Sequence, residues 1–218
     1  MRRGPPAGLL ALLLAGACAA PPTGPAPSPR PGAFTVCHGH GCEERAPVSL
    51  TAAEWARVVA LFRRLPHDAA AERRAVACAV GLLERLVGPR AGTDGDLGGT
   101  FPGLGRPGQM DCVDEATNTG TYLRMFADAG LLRFHVPDGR ATRGFFLMGW
   151  PHTTAVLRER ATGRRWAVDS WFHDNGVPAR ILPLERWRAG WKPRPDDPPP
   201  PCPAPPGADA KMGLGTWR

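Results

Sequence analysis

The chain has 218 residues, 27 basic side chains against 20 acidic ones, a net charge of +7, and 26 prolines with 27 glycines. That length fits one domain with tails, and because the prolines crowd the two ends, disorder throughout is excluded. The positive charge is almost entirely Arg, scattered along the chain (Lys192 and Lys211 are the only lysines) with no legible recognition module, so nucleic acid is not an expected partner.

In chain order, residues 1–17 read as an export signal. Arg2 and Arg3 form a charged start, residues 9–14 form a short apolar core, and residues 15–18, Ala-Gly-Ala-Cys, offer a small-residue cleavage site. The apolar run is too short to span a bilayer. Leu-Ala-Gly-Ala-Cys resembles the lipobox of bacterial lipoproteins, which implies a lipid on Cys18, a membrane anchor and a place in the bacterial cell envelope facing the periplasm. Ordinary signal cleavage after Ala17 is the alternative. Residues 18–33 are a Pro-rich spacer; at about 3.1 Å per residue it would hold a domain roughly 40 Å from a membrane. A folded domain is expected over 34–192, followed by a Pro-rich tail over 193–218.

Within that domain, Thr51-Ala-Ala-Glu54 is a capping-box pattern, followed at helical spacing by Trp55, Val58, Val59, Phe62 and Leu65, with Pro66 as the stop. A second helix is expected from about 69 to 87, with Val76, Val80, Leu83 and Val87 on one face and Gly88-Pro89 ending it. A Gly-rich loop over 92–108 leads to a third helix. It starts near Cys112 and is expected to reach Ala129, with Tyr122, Phe126 and Ala129 as core contacts and Gly130 as its stop.

The remaining core reads as strands: 145–148, then 152–158 and 164–172 joined as a hairpin through Thr162-Gly163. A four-residue loop pairs 158 with 163, and so 152 with 169. A two-residue loop pairs 160 with 163 and sets Asp169 diagonal to His152. Both registers put His152 and Asp169 on one sheet face, where directly opposed Cβ atoms lie about 4.5–5.5 Å apart.

Three residues on these elements form a possible acyl-transfer set. Cys112 sits where the loop runs into a helix, in a place that favours the thiolate, with Asp111 as N-cap. His152 would move the proton and Asp169 would orient the imidazole. Asp111, Asp114 and Glu115 oppose the thiolate, so reactivity requires the imidazolium of His152 to outweigh them. Gln109 and the Cys112 backbone amide are the oxyanion candidates. Trp150, Trp171 and Trp187 are core or cleft walls, and Asn175 is a possible cleft residue.

Cys37-His-Gly-His-Gly-Cys42 is a second constellation. Its four ligand types are too cramped within six residues for an ordinary tetrahedral zinc site, so a disulfide between Cys37 and Cys42 is preferred to a metal in an exported protein. Cys78 and Cys202 are candidates for a second bridge.

Asp111-Cys112-Val-Asp-Glu115, Pro151-His152-Thr-Thr-Ala-Val156 and Trp166-Ala-Val-Asp169 resemble, in order and spacing, the transglutaminase-like superfamily within the papain-like fold. The resemblance covers about residues 108–173. It implies an α+β domain with N-terminal helices packed on a small antiparallel sheet, a Cys112–His152–Asp169 triad without a cofactor, and a peptide or protein amide as substrate. Hydrolysis and transfer to an amine both remain open. A non-catalytic binding or scaffolding lipoprotein that kept the fold is the alternative, and a metal-binding protein using Cys37, His38, His40 and Cys42 is a third.

Overall fold

The structure is a computed structural model that describes residues 28–64, 67–144, 151–194 and 196–202. The export signal, Cys18, most of the spacer, the 145–148 strand and Trp150 lie outside the described residues. The described chain is α+β. Strands β1 (Phe34–His38) and β2 (Glu44–Val48) form an antiparallel hairpin, followed by helices α1 (Ala52–Arg64), α2 (Ala69–Ala91) and α3 (Cys112–Asp128). Strands β3 (His135–Arg143), β4 (His152–Glu159), β5 (Arg165–Asp169) and β6 (Arg180–Pro183) then make an antiparallel sheet in sequential order, and a short α4 (Leu184–Arg188) follows.

Local chemistry sets the helix ends. The capping box of α1 is made: Thr51 Oγ1 accepts the Glu54 amide at 3.2 Å, and Glu54 Oε2 accepts the Thr51 amide at 2.8 Å. The second helix starts on an Asp68 cap and runs a turn past the expected stop, straight through Gly88-Pro89. In the last turn Pro89 removes only one helical hydrogen bond. Gly92, in the left-handed region, is the real terminus and returns its amide to Gly88. Gly130 ends α3 as expected: its amide reaches Ala127 O at 2.9 Å and the Leu131 amide reaches Phe126 O at 2.9 Å. Tyr122 and Phe126 are buried, but Ala129 is exposed, because the cap turns it away from the core.

The main core joins Val76, Val80 and Leu83 of α2, Tyr122, Leu123 and Phe126 of α3, and Ala155, Leu157 and Val168 of one sheet face. Val156, Ala167, Leu182 and Trp187 form a smaller cluster on the other face. The sheet is thus covered on both sides, which explains why β4 reads as an apolar run rather than an alternation.

The described residues hold two disulfides, one local and one long-range. Cys37–Cys42 closes the β1–β2 turn. Cys78–Cys202 fastens the C-terminal Pro-rich stretch to α2, so that stretch lies against the core as far as Cys202 instead of hanging free from residue 193. No helix among the described residues is long and apolar enough to cross a membrane.

Candidate active site

The approach to Cys112 is built by the Gly-rich loop. Gly108 has φ +72°, and a Cβ there would sit 1.8 Å from the Gly92 carbonyl oxygen, so the loop closes on its own start only with glycine. Gln109 fastens this closure: its Oε1 accepts the Leu97 amide at 3.1 Å, and its Nε2 donates to Gly95 O at 2.9 Å. Both ends of the Gln109 amide are engaged by loop main chain, so it holds the loop in place. Asp96 Oδ1 accepts the Met110 amide at 2.7 Å and fixes the next residue.

Cys112 is the first residue of α3. Asp111 caps the helix, accepting the amides of Val113 at 2.9 Å and Asp114 at 3.0 Å, while Asp114 Oδ2 accepts the Asp111 amide at 3.0 Å. This reciprocal pair fixes the backbone on both sides of the thiol. Cys112 is half-buried and is the one free cysteine among the described residues. Its Sγ lies 3.9 Å from the Pro151 carbonyl oxygen and against the Thr153 amide, so the thiol abuts the main chain on both sides of His152.

The β4–β5 register pairs Ala155 with Val168 and Arg158 with Arg165. Continued outward, it sets Asp169 diagonal to His152 on one face, the outcome of the two-residue loop. His152 Nε2 donates to Asp169 Oδ2 at 2.7 Å, and both side chains are buried. An ionised carboxylate only accepts, so Nε2 carries the hydrogen and Nδ1 is the basic nitrogen. That Nδ1 is buried and has no hydrogen-bond partner among the described residues.

Asp169 Oδ2 also accepts the indole N–H of Trp187 at 2.6 Å. Aromatic rings enclose the imidazole: Trp171 has its centroid 4.4 Å away, with Phe172 and Trp187 each at 5.3 Å. Trp187 is fully buried, whereas Trp171 and Phe172 are half-buried and wall the site. Arg143 pairs with His152 across the β3–β4 ladder and lies 4.5 Å over the Trp187 ring, donating to the carbonyls of Trp187 and Trp191.

Burial pushes the Cys112 thiol above its ordinary range, and the charges of Asp111 and Asp169 add to the rise; the amides of Thr153 and of Cys112 itself pull the other way. The resting thiol is therefore protonated at neutral pH, and a base must take its proton when it reacts.

A group of acids lies behind the site. Ser170 Oγ donates to Glu115 Oε2 at 2.5 Å and lies 3.2 Å from Thr119 Oγ1, while Glu84 Oε2 accepts the Gly176 amide at 2.9 Å. Burial raises Glu84 to about 8 and Asp96 to about 7, and drives Glu115 upward with the Glu84 charge adding to it. Asn175 is not at the thiol; its side chain packs against Gly88 of α2.

The Cys37–Cys42 loop docks on the same helix start. Asp114 accepts the amides of His40 at 2.9 Å and Cys42 at 2.5 Å, and Asn118 exchanges hydrogen bonds with the Cys37 main chain at 2.7 and 2.8 Å. Because both thiols are consumed in the disulfide, the metal reading of this loop loses its two thiolates.

Sequence reading named Trp187 as core or cleft wall but missed its indole bond to Asp169, and it missed the Thr153 amide and Arg143. No local pattern ties an indole to a carboxylate 18 residues earlier. The Arg143 position follows only from the β3–β4 pairing. Comparison with protein-family models, curated proteins and solved structures finds no match to this chain.

Proposed function

We propose that this chain is a thiol-dependent acyl-transfer enzyme in which Cys112 is the nucleophile, His152 the base and Asp169 the group that orients His152. The observation that carries the reading is the division of labour in the imidazole. Its Nε2 is held by a buried carboxylate, its Nδ1 is buried with no hydrogen-bond partner among the described residues, and the thiol lies against the residues on either side of it.

In the reaction, His152 Nδ1 takes the thiol proton as Sγ attacks an amide carbonyl carbon. The oxygen becomes an oxyanion, stabilised by the Cys112 amide, one of the free donors of the first turn of α3. The C–N bond then breaks, the imidazolium gives its proton to the departing amine, and a thioester remains. Water or a second amine attacks the thioester, passes its proton to His152, and releases Cys112. Water makes the enzyme an amidase or peptidase; an amine makes it a crosslinking transferase.

The helix-start Cys, strand His and next-strand Asp on an α+β scaffold support a transglutaminase-like or papain-like assignment, although no known family matches the chain. The charged start, the apolar core, the Ala-Gly-Ala-Cys18 site and two disulfides support an exported, lipid-anchored protein of the cell envelope. The test is release of amine, or incorporation of a labelled primary amine, from a panel of peptide amides. Activity is expected in the wild type and lost in Cys112→Ser. A folded wild type inert on the whole panel favours a binding module, a reading that draws on the raised thiol.

A further inference from the structure

A basic groove runs along α3 away from the thiol. Its floor is the helix face carrying Thr117, Thr121 and Arg124. The β1–β2 hairpin with Arg45, and Arg30 before it, wall a cavity of about 780 Å³; a smaller cavity of about 270 Å³ continues past Thr117 and Arg124 to Arg140 of β3. Among the described residues no acidic side chain lines either cavity.

What sets the arginines here apart is their clustering on adjoining cavities rather than the lack of an ion pair, which exposed Arg160 and Arg188 share among the described residues. Arg73, Arg90, Arg158, Arg164 and Arg165 each sit in an ion pair. Arg30, Arg45, Arg124 and Arg140 are exposed and have no ion pair among the described residues; Arg124 and Arg140 donate only to the hydroxyls of Thr121 and Thr117. Four guanidinium groups without an ion pair among the described residues, spread over two adjoining cavities that share Arg124, raise the local positive potential and select for carboxylates, which match their donor geometry.

We propose that this groove binds an acidic peptide segment. A concave, partly apolar site with Phe34 and Val48 in its lining admits an extended chain, whereas a membrane surface cannot enter it. The groove adjoins the helix start that carries the thiol: Cys42 lines it, and Asp114, two residues after Cys112, holds the Cys42 amide. At a helical rise of 1.5 Å per residue, Thr117 lies roughly 8 Å and Arg124 roughly 18 Å along the axis from Cys112. An extended peptide covers about 3.4 Å per residue. Acidic residues about two to five positions from the reacting carbonyl therefore reach the arginines. That this segment belongs to the acyl donor rests on the thiol reading; binding in the groove does not.

The experiment measures binding of fluorescein-labelled hexaglutamate by anisotropy on the full chain carrying Cys112→Ala, with hexaglutamine and hexalysine as controls. Because the variant is inert, failure here and failure of the acyl-transfer reading are separable. Hexaglutamate is expected to bind, hexaglutamine and hexalysine are not, and affinity is expected to fall about tenfold or more when salt rises from low to physiological levels or above. Arg45→Glu with Arg124→Glu, and independently Arg30→Glu with Arg140→Glu, should each weaken binding about tenfold, while Arg160→Glu with Arg188→Glu on other surfaces should not. No binding, binding unchanged in both groove pairs, or displacement of the peptide by phosphatidylglycerol vesicles in preference to acidic peptide, would overturn the proposal.

Discussion

His152 has both ring nitrogens assigned by its surroundings, one to Asp169 and one left open in a buried site. His152→Ala should lower kcat/KM on any accepted peptide amide by on the order of 10²–10⁴, the size of a lost general base. Asp169→Asn should keep the fold and lower it by up to roughly 10⁴, because an amide at that position no longer selects the tautomer with Nδ1 basic. Trp187→Phe removes one of the two donors to Asp169 Oδ2. It should cost roughly 1–3 kcal/mol in denaturant unfolding and lower kcat more than it raises KM. A variant with full activity would place Trp187 outside the machinery. The His152–Asp169 pair was legible in the sequence because side-chain parity in a hairpin depends only on loop length. The indole was not, since its contact is made across the sheet face by a separate helix.

The helix start at Asp111–Asp114 does two jobs at the scale of elements. It frames the thiol, and through the Asp114 carboxylate it holds the disulfide loop. Asp114→Asn leaves one acceptor oxygen where two serve three amides. The expected cost is roughly 1–3 kcal/mol, with the activity loss outlasting rescue of the fold at low temperature; equal stability of the variant in thermal unfolding would contradict this. The three helices were legible from spacing and caps, and α2 overran its expected end because a proline in the last turn costs little. The β1–β2 hairpin was hidden. Gly39, His40, Gly41 and Cys42 are four successive residues with positive φ, a turn that no two-residue signal announces, and β2 carries Arg45 and Pro47 at the expense of alternation. Strand β3 was hidden too, because Pro137 and Gly139 sit at an irregularity in its pairing with β4. In both cases tertiary contacts with α3 outweigh weak strand propensity.

For the whole molecule, the buried acids set a pH dependence. Glu84 and Asp96 have folded values of about 8 and about 7, raised chiefly by burial from ordinary carboxyl values of 4.5 and 3.8. The folded state therefore holds protons that the unfolded chain releases. This contribution is fully present below about pH 4, declines as pH rises, and is gone above about pH 8. Urea unfolding should show lower stability at pH 8 than at pH 5.5, and Glu84→Gln, which still accepts the Gly176 amide, should flatten that slope. A slope unchanged by Glu84→Gln would contradict the assignment. The α+β class, the place of Cys112 at a helix start and the shared sheet face of His152 and Asp169 could be read before the structure because each rests on a local pattern. The acid cluster could not, because it joins α2, α3 and the residue after β5.

The most direct test of the central claim is intact-mass and peptide-mapping mass spectrometry after brief exposure to a peptidyl p-nitrophenyl ester at neutral pH. The account predicts one acyl group per chain, on Cys112, discharged by added amine or water and formed at least about 10²-fold more slowly in His152→Ala. Acylation of Cys112 at an equal rate with and without His152, or no acylation of a folded protein, would contradict it.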